Sequence, residues 1–553
     1  MKNTDIRSLI SQSVASYKNN LALSFVDGEK ITYGDLYTRI IERANILKNL
    51  GIEKGDKVAI LSTYNPYWGI SYLAVVFIGA TTVPILNDFS ASEIQNILEH
   101  SEAKAIVTTN DLKYKLTNTV NCIQYVLNVE DFSLDTALST SSRPKVDKFI
   151  DKTPDNLAKQ FGELTGDELA SIIYTSGTTG LSKGVMLSHK NLISNIIATS
   201  HIQSITEIDR LLSILPLSHS YECTLGFLMP LANGASVYYL AGAPVASILL
   251  PALQTVQPTM MLSVPLIIEK IYKMRIKPKF SKGTAKSLYS LAPTRKLLNF
   301  IAGKKLMHTF GGKLKFFGIG GALLDAETEK FLREANFPYA IGYGLTETAP
   351  LLAGSSPQKT RYRSTGFALP GQDLKLIDVN LETGEGEIVA KGNNVMKGYY
   401  KNDDLTQKCF AEDGWFRTGD LGYIDRSNHL FIKGRLKNMI LTANGENIYP
   451  EQIEAILTRH QYVTEAIVYE MKGKLVAKVH LNYQEVEEKF NKLKESAKVL
   501  QSDMQQYIRN ILDDIKAYVN SEVSKFAKLA LIIEHPVPFE KTPTQKIKKY
   551  LYI

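Results

Sequence analysis

The spacing of hydrophobic residues predicts alternating helices and strands over the first part of the chain. Residues 33–50 carry apolar side chains at helical intervals, and residues 57–61 form a short apolar run that is typical of a buried strand. A second, apolar helix is predicted over 72–79, and strands are predicted over 81–85 and 105–108. This alternation favours parallel sheets with helices packed on their faces.

The alternation continues after residue 200 and then gives way to a different pattern. Further strands are predicted at 211–216, 235–240 and 314–321. Short strands, glycines and turns dominate residues 371–435, which indicates a small antiparallel β unit. The charged segment 483–516 has helical spacing. We therefore expect an α/β protein with a large N-terminal domain over 1–437, built of stacked mixed and parallel sheets with helices and including the β unit, and a small α+β C-terminal domain over 438–553.

Composition narrows the class of protein. The chain has 553 residues, which is too long for one compact core, and its 44% hydrophobic and 22% charged residues are ordinary for a globular protein. The cysteines Cys122, Cys223 and Cys409 have no spacing typical of a disulfide framework or a metal site. No apolar run is long enough to predict a membrane-spanning helix, and the polar N-terminus lacks the pattern of a secretory signal. A reducing, cytoplasmic location is therefore expected.

Residues 174–184 form the most informative segment, a loop of hydroxyls and glycines with one lysine directly after the apolar run 169–173. Glycines allow the backbone to approach a ligand closely, while hydroxyls, backbone N–H groups and a lysine donate to phosphate oxygens. Because Lys183 follows Ser182 and precedes Gly184, the segment is not a Walker A loop, which needs Gly-Lys directly before Ser or Thr. The predicted phosphate contacts are Thr175, Ser176, Gly177, Thr178, Thr179, Gly180 and Lys183.

Two downstream motifs are candidates for binding the base. The strand predicted at 314–321 ends in a glycine turn, where the backbone at Gly321 and Ala322 can lie flat against a purine. Tyr343, which precedes Gly344, offers an aromatic face. These four residues are predicted to contact the nucleotide.

The remaining polar candidates suit phosphate, metal and ribose. Thr346 offers a hydroxyl to the α-phosphate, and Glu347 offers a carboxylate to Mg²⁺, which proteins commonly hold by one or two carboxylates together with substrate phosphates. Asp420 can accept hydrogen bonds from both ribose hydroxyls, although an aspartate beside a glycine is also a common turn residue. Arg435 is a second ribose or phosphate contact, and Lys437 falls at the predicted domain junction.

Taken together, the motifs from Thr175 to Lys546 resemble the adenylate-forming, or AMP-binding, superfamily, and more narrowly the long-chain fatty acid–CoA ligases. The resemblance runs over essentially the whole chain. It extends to the segments 215–222, 263–265, 394–400 and 444–451. It implies two half-reactions: a fatty acid and ATP give acyl-adenylate and pyrophosphate, and the thiol of CoA then displaces AMP to give acyl-CoA. An alternative that stays open is a fatty acyl-AMP ligase that transfers the acyl group to a carrier protein.

The resemblance also implies roles for particular residues. Lys546 would contact the carboxylate and the α-phosphate, and Lys437 would be the hinge about which a mobile C-terminal domain rotates. His219 would line the acyl entrance as a catalytic residue. Thr175 and Glu347 would be the metal ligands. The implied cofactors are ATP and Mg²⁺, with coenzyme A as co-substrate.

Three positions depart from the pattern of these ligases. Leu266 and Cys223 stand where arginine is frequent, and Ile341 stands where glutamine is often found. None of them is among the predicted phosphate, ribose or lysine positions. The departures therefore concern the acyl pocket and not the class of reaction.

One charged feature lies outside these motifs. Residues 270–315 contain no aspartate or glutamate but many lysines and arginines, with aliphatic and aromatic residues between them. A solvated basic hairpin and a patch that touches anionic lipid are both consistent with this pattern, and the second would place the protein at the inner membrane surface as a peripheral protein. No recognition motif for nucleic acid accompanies the charge, so no nucleic-acid partner is expected. A homodimer is compatible with the sequence.

Overall fold

The chain forms two compact units in the computed structural model. The structure describes residues 5–116, 123–140, 160–175, 182–281, 283–441, 447–495, 504–542 and 546–553. Unit 1 comprises Met1–Lys375, Val389–Arg417 and Asp425–Leu430, and unit 2 comprises Leu376–Ile388, Thr418–Ile424 and Phe431–Ile553. The division predicted between residues 437 and 438 stays a prediction.

Helices and strands alternate along the chain as the hydrophobic pattern predicts. The helices are α1 Ile6–Tyr17, α2 Tyr33–Asn49, α3 Pro66–Phe77, α4 Ala91–Ser101, α5 His189–Ser200, α6 Met229–Ala232, α7 Ala246–Val256, α8 Pro265–Ile271, α9 Gly283–Ser290, α10 Ala292–Thr309, α11 Ala326–Glu334, α12 Asp403–Lys408, α13 Pro450–Leu457, α14 Tyr483–Glu495 and α15 Met504–Glu522. Within the described ranges, none of the helices is both long and apolar enough to cross a membrane.

The strands are β1 Leu21–Phe25, β2 Lys30–Thr32, β3 Lys57–Leu61, β4 Thr81–Ile85, β5 Ala103–Thr108, β6 Tyr125–Asn128, β7 Leu169–Thr175, β8 Lys183–Ser188, β9 Arg210–Ser213, β10 Ser236–Tyr239, β11 Met260–Ser263, β12 Phe316–Ile319, β13 Tyr339–Ile341, β14 Tyr343–Gly344, β15 Leu351–Gly354, β16 Phe367–Ala368, β17 Gln372–Ile377, β18 Gly386–Gly392, β19 Gly398–Tyr399, β20 Phe416–Ile424, β21 Leu430–Arg435, β22 Ile440–Leu441, β23 Asn447–Ile448, β24 Val463–Met471, β25 Lys474–Leu481 and β26 Leu531–Glu534.

Two seven-stranded sheets form the framework of unit 1. The first has the strand order β13-β12-β11-β9-β10-β1-β2 and is parallel except for the β1–β2 pair. The second has the order β19-β8-β7-β4-β3-β5-β6 and is parallel from β7 to β6, while β8 is antiparallel to both of its neighbours. Nearly continuous apolar strands in these sheets agree with burial on both faces.

Helix α3 lies in the core between the two sheets. It contacts β1 of the first sheet and β3 and β4 of the second, and its apolar side chains are buried all round. Its start was predicted six residues too late, because Asn65 caps the helix through the N–H of Trp68 and Pro66 occupies the first turn. A Cβ atom on Gly69 would lie 2.5 Å from the Phe227 ring, so the helix can approach that ring only with glycine there.

The smaller sheets complete the predicted α/β class. An antiparallel sheet of order β14-β15-β16 belongs to unit 1, and a sheet of order β24-β25-β26 packs with α13 and α15 in unit 2. A four-stranded sheet, β17-β18-β20-β21, covers the region where short strands were predicted, and the unit boundary passes within its strands. The fold class predicted from the sequence is therefore confirmed. The helical segment predicted over 483–516 forms α14 and α15, with residues 496–503 outside the described part of the chain.

A buried carboxyl group lies beneath the first sheet, on the π-helix Glu222–Leu228. The Glu222 side chain is almost fully buried, and its Oε1 accepts a 2.6 Å hydrogen bond from the Ser213 hydroxyl. Burial raises the pKa of Glu222 to about 8. Gly226 leaves the room for this group, since a Cβ atom there would lie 2.5 Å from the carboxyl carbon.

Glu222 is expected to make the protein less stable as the pH rises from about 4.5 to about 8. Over this range the unfolded chain has lost the Glu222 proton while the folded chain retains it, so the free energy of unfolding falls by up to about 1.4 kcal/mol per pH unit. Glu222→Gln keeps the shape and the acceptor but cannot ionise. Melting temperatures measured from about pH 5 to about pH 8 should therefore depend less on pH in this variant than in the wild type.

The exposed Glu207 provides the control, because Glu207→Gln makes the same chemical change outside the core. Its melting curve should follow the wild type at every pH. Parallel pH profiles for the wild type and Glu222→Gln would contradict the assignment of a neutral buried carboxyl group.

Candidate active site

The predicted phosphate loop connects two paired strands of the second sheet. Strands β7 and β8 are antiparallel, and their register sets Thr175 directly opposite Lys183 at the base of the loop. Gly184 keeps the strands close, because a Cβ atom there would lie 2.9 Å from Ile172. Five of the predicted phosphate contacts lie outside the described residues: Ser176, Gly177, Thr178, Thr179 and Gly180.

A distant segment adds the short strand β19 to the edge of β8. The register pairs Gly398 with Met186 and Tyr399 with Val185. On either side of these pairs, the N–H of Lys397 donates to Met186 at 2.9 Å and the N–H of Tyr400 donates to Gly184 at 2.8 Å. The pairing therefore fixes the Tyr399 side chain close to the base of the phosphate loop.

Tyr399 contacts two of the predicted site residues at once. Its hydroxyl donates a 2.8 Å hydrogen bond to Oε1 of Glu347, and the Lys183 Nζ lies 5.5 Å from its ring centroid. Burial and the neighbouring Glu347 carboxylate raise the pKa of Tyr399, so the hydroxyl stays protonated and available as a donor. One buried tyrosine thus has its ring near the predicted loop lysine and its hydroxyl bonded to the predicted metal ligand.

Tyr399 had no predicted role of its own. The motif over 394–400 carried the only signal, and a glycine followed by an aromatic residue does not by itself indicate a partner. Glu347 is 52 residues away along the chain, so the contact depends on the pairing of β19 with β8.

Thr346 and Glu347 lie on a short 3₁₀ turn that is fixed by buried polar side chains. The amide of Asn394 donates to the carbonyl of Thr348 at 2.9 Å, and the N–H of Met396 donates to the carbonyl of Glu347 at 2.8 Å. Asn195 donates to Leu351 at 2.7 Å just beyond the turn. Because buried amides are costly to leave without partners, this network holds the turn in one conformation.

The predicted catalytic histidine, His219, is adjacent in the chain to a serine that contacts this turn. The Ser220 hydroxyl is 3.5 Å from the Thr346 hydroxyl, and His219 immediately precedes it. The N–H of Tyr221 donates to Nδ1 of His219 at 3.3 Å. In the neutral ring the proton is therefore on Nε2, which leaves that atom as the donor.

The predicted base contacts follow the ends of two adjacent parallel strands in the first sheet. Gly321, with φ of 85°, and Ala322 follow β12 after Gly320 and are exposed. Tyr343 and Gly344 come after β13, whose end is tied to β12 because the N–H of Gly342 donates to Ile319 at 2.9 Å. The carboxyl ends of parallel strands meet at one edge of a sheet, which is where open α/β sheets bind ligands.

Three of the other predicted residues lie in unit 2. Asp420 on β20 and Arg435 on β21 form an ion pair, with 2.9 Å between Oδ1 and Nε. Arg435 also donates to the carbonyl of Thr418 at 3.3 Å. Lys437 is exposed on the 3₁₀ turn Leu436–Asn438 that follows. The two predicted ribose contacts are thus neighbours across a strand pair.

Lys546, also in unit 2, is exposed. Its N–H donates to the Thr542 hydroxyl at 3.1 Å, and its carbonyl accepts from the N–H of Thr542 at 2.7 Å. An isolated bridge joins Lys541 and Ile547. Residues 543–545 are outside the described part of the chain. Lys546 itself is therefore tied to Thr542 by two hydrogen bonds.

The donor set in unit 1 fits a magnesium ion that is held mainly by substrate. Glu347 supplies one carboxylate whose orientation Tyr399 fixes, and Thr175 supplies a hydroxyl at the end of β7. Among the described residues, no group of three or more His, Cys, Asp or Glu side chains could enclose a metal ion. One carboxylate and one hydroxyl suit Mg²⁺ bound through phosphate oxygens better than a cage made only of protein ligands.

Comparison with known proteins identifies the family. The AMP-binding enzyme family matches residues 10–400, and the chain belongs to this family. A long-chain-fatty-acid–CoA ligase of Mycobacterium bovis is 29% identical over 478 residues, covering 79% of this chain and 75% of the relative. 4-Coumarate–CoA ligase 4 of Arabidopsis thaliana is 27% identical over 524 residues, covering 91% of this chain and 83% of that protein.

A solved structure agrees with the fold. O-succinylbenzoate coenzyme A synthetase of Bacillus subtilis, in complex with ATP and magnesium ion, has a TM-score of 0.75 and 22% sequence identity. The match covers 98% of this chain and 98% of that chain. At this identity the likeness shows the fold alone.

Removal of the Tyr399 hydroxyl is expected to weaken binding of metal–nucleotide. Tyr399→Phe keeps the ring beside Lys183 but leaves the Glu347 carboxylate without its fixed donor. Loss of a hydrogen bond that orients a metal ligand typically costs about 10- to 100-fold in metal affinity. Binding of Mn²⁺ in the presence of ATP, followed by electron paramagnetic resonance, measures this affinity without turnover.

Tyr33→Phe is the matched control, because Tyr33 is also buried and also donates its hydroxyl, to the carbonyl of Ala235 at 2.8 Å. Both variants should lose some thermal stability, but only Tyr399→Phe should lose metal affinity. Equal Mn²⁺ affinity in the two variants would show that the Tyr399 hydroxyl serves packing alone.

Proposed function

We propose that the protein is an AMP-forming CoA ligase that acts on an apolar carboxylic acid of the fatty-acid class. In the first step the carboxylate displaces pyrophosphate from ATP and forms acyl-adenylate. In the second step the thiol of CoA displaces AMP and forms the thioester. The relatives named above are CoA ligases of a long-chain fatty acid and of an aromatic acid, so they support the reaction, while the choice of acid depends on the pocket.

The observation that supports an apolar substrate is a small cavity, about 50 Å³ in volume, across the first sheet. It passes over β9, β11, β12 and β13, and it is lined by Thr199, Ile202, Gln203, Ile205, Leu211, Tyr221, Leu225, Met229, Met260, Leu262, Phe316, Gly318, Ala340, Ile341, Gly342, Leu351, Gly354 and Ser355. None of these described lining residues is charged. A hydrocarbon chain is stabilised by such walls, whereas a buried second carboxylate would need a cationic partner.

Two residues that line the cavity are close in the chain to residues of the candidate active site. Tyr221, in its wall, is two residues from His219, and Gly342 directly precedes Tyr343. Gly318 keeps the cavity open at its centre, because a Cβ atom there would lie 2.9 Å from Leu262 and 3.1 Å from the Tyr221 hydroxyl. Ile341, one of the departures from the ligase pattern, lies in the same wall and makes it more apolar than glutamine would.

The remaining residues suit the two half-reactions. Lys183 and the phosphate loop would bind the phosphates, with Thr175 and Glu347 holding Mg²⁺, and a bound Mg²⁺ would supply charge neutralisation. Nε2 of His219 would donate to the substrate carboxylate, and Thr346 would hydrogen-bond the α-phosphate. Asp420 and Arg435 would bind ribose. Lys546 would stabilise the charge that develops during adenylation, and Lys437 would be the hinge between the steps.

A substrate panel tests this function. Straight-chain fatty acids of increasing length should release pyrophosphate from ATP, and acyl-CoA should accumulate when CoA is present. The matched control is the α,ω-dicarboxylic acid of the same length, which differs only in a second carboxylate. Burying that charge in the apolar cavity should lower kcat/KM by about a hundredfold or more.

Two further comparisons sharpen the panel. Ile341→Gln, which introduces an amide into the wall, should lower kcat/KM for fatty acids, while Ile341→Leu should preserve it.

Mass spectrometry with CoA and an acyl carrier protein offered together identifies the acceptor. Equal activity on mono- and dicarboxylic acids, or acyl transfer to the carrier protein alone, would contradict the proposal.

Lys546 is expected to matter for adenylation far more than for thioester formation. Lys546→Ala should reduce pyrophosphate release by about 10²- to 10³-fold, as is usual when one charge-stabilising donor is removed. Conversion of supplied acyl-adenylate to acyl-CoA should be much less affected. Lys474→Ala, which removes another exposed lysine of unit 2, is the control. Equal losses in both half-reactions of Lys546→Ala would contradict this role.

A further inference from the structure

Helix α10 presents apolar side chains to the outside of unit 1. Leu297, Phe300 and Ile301 are 60%, 40% and 50% exposed. Their spacing of three and four residues places them side by side on one face of the helix. Leu288 and Leu291, at the connection from α9, are 47% and 59% exposed. A soluble helix normally turns such residues toward the core.

The inward face of the same helix carries Asn299, Gly303 and one leucine, Leu306, which is buried in the core. Asn299 is 1% exposed; its amide donates to Oε2 of Glu334 at 2.7 Å and its carbonyl oxygen accepts from the Tyr289 hydroxyl at 2.9 Å. Gly303 lies so close to the carbonyl of Ala335 that a Cβ atom would be 2.3 Å from its oxygen. The helix is thus held by the amide, the close backbone contact and the buried Leu306, while Leu297, Phe300 and Ile301 remain exposed.

Lysines flank the exposed apolar face. Lys296, Lys304 and Lys305 are exposed on the same side of α10, and the Lys304 Nζ lies 4.8 Å from the Phe300 ring centroid. No acidic residue occurs in the sequence from 270 to 315. The face therefore combines an apolar centre with positive charge at its margins.

Two basic side chains of this region already form ion pairs with glutamates of α11. Lys277 pairs with Glu327 at 2.7 Å, and Arg295 pairs with Glu334 at 3.0 Å. Reversing their charges would disturb the structure and would not test the surface alone. Lys282 lies outside the described residues. The informative lysines are accordingly the three on α10.

We propose that the exposed face of α10 is a docking surface for an anionic lipid bilayer. Leu297, Phe300 and Ile301 would enter the boundary between headgroups and acyl chains, and Lys296, Lys304 and Lys305 would lie at the level of the anionic headgroups. The exposed apolar residues account for insertion into the bilayer, and charge complementarity selects anionic lipid over a neutral surface. The inference does not depend on the proposed enzymatic activity.

Vesicle co-sedimentation without substrate tests the surface. The wild type should sediment with vesicles of phosphatidylcholine mixed with phosphatidylglycerol, and much less with phosphatidylcholine alone. In about 1 M salt, where the Debye length is about 3 Å, most of the protein should be released. Changing Lys296, Lys304 and Lys305 together to Gln should weaken binding about a hundredfold, since each lysine near the surface contributes about fivefold. Changing Leu297, Phe300 and Ile301 together to Ser should weaken it by about tenfold or more.

Matched variants control for charge and hydrophobicity as such. Lys190, Lys330 and Lys359 are exposed elsewhere in unit 1, and changing all three to Gln alters the net charge equally. Tyr114, Ile208 and Leu381 are exposed but scattered, with 67%, 67% and 98% of their surface accessible, and changing them to Ser removes a comparable apolar area. Both control variants should bind vesicles as the wild type does, and melting temperatures should show that all variants are folded.

Three results would overturn the proposal. The first is a wild type that does not sediment with anionic vesicles, and the second is binding that the two α10 variants leave unchanged. The third is a wild type that self-associates in sedimentation velocity, becomes monomeric in both α10 variants and ignores vesicles. That outcome would make the face an interface between copies of this chain.

Discussion

The pairing of β19 with β8 is the interaction on which the arrangement in unit 1 depends. Strand β19 has only two residues, yet the flanking N–H groups of Lys397 and Tyr400 extend the ladder on both sides. This brings Tyr399 between Lys183 and Glu347, which come from different parts of the chain. A short edge strand can carry this role because buried side chains of its own segment and of helix α5 hold it in place.

The amide side chains of three asparagines supply that support. Asn191 donates to the carbonyls of Asn393 and Val395, each at 2.8 Å, while Asn394 and Asn195 donate to the carbonyls around Thr348 and Leu351. Irregular backbone can be buried here because its carbonyls have fixed partners. The turn that carries Thr346 and Glu347 is therefore held in one conformation by these hydrogen bonds.

Burial also divides polar groups by role. Glu222 is fully enclosed, its raised pKa favours the neutral acid, and Gly226 leaves room for it. Glu347, in contrast, is partly exposed to solvent and accepts a hydrogen bond from Tyr399. The cavity in the first sheet has apolar walls, and α10 carries apolar residues on its outer face. In each case the side of the helix or sheet on which a residue lies decides whether its side chain is buried or exposed.

The sequence alone determined several core strands, the order of the motifs and the family. Short apolar runs such as residues 57–61 and 81–85, each with a glycine two residues before it and rich in β-branched residues, favour buried strands, and both form parallel strands of the second sheet. Tertiary structure decided the role of Tyr399, the acid–base state of Glu222 and the outward face of α10. These depend on partners far apart in the chain or on which side of a helix is covered, and local spacing carries no information about either.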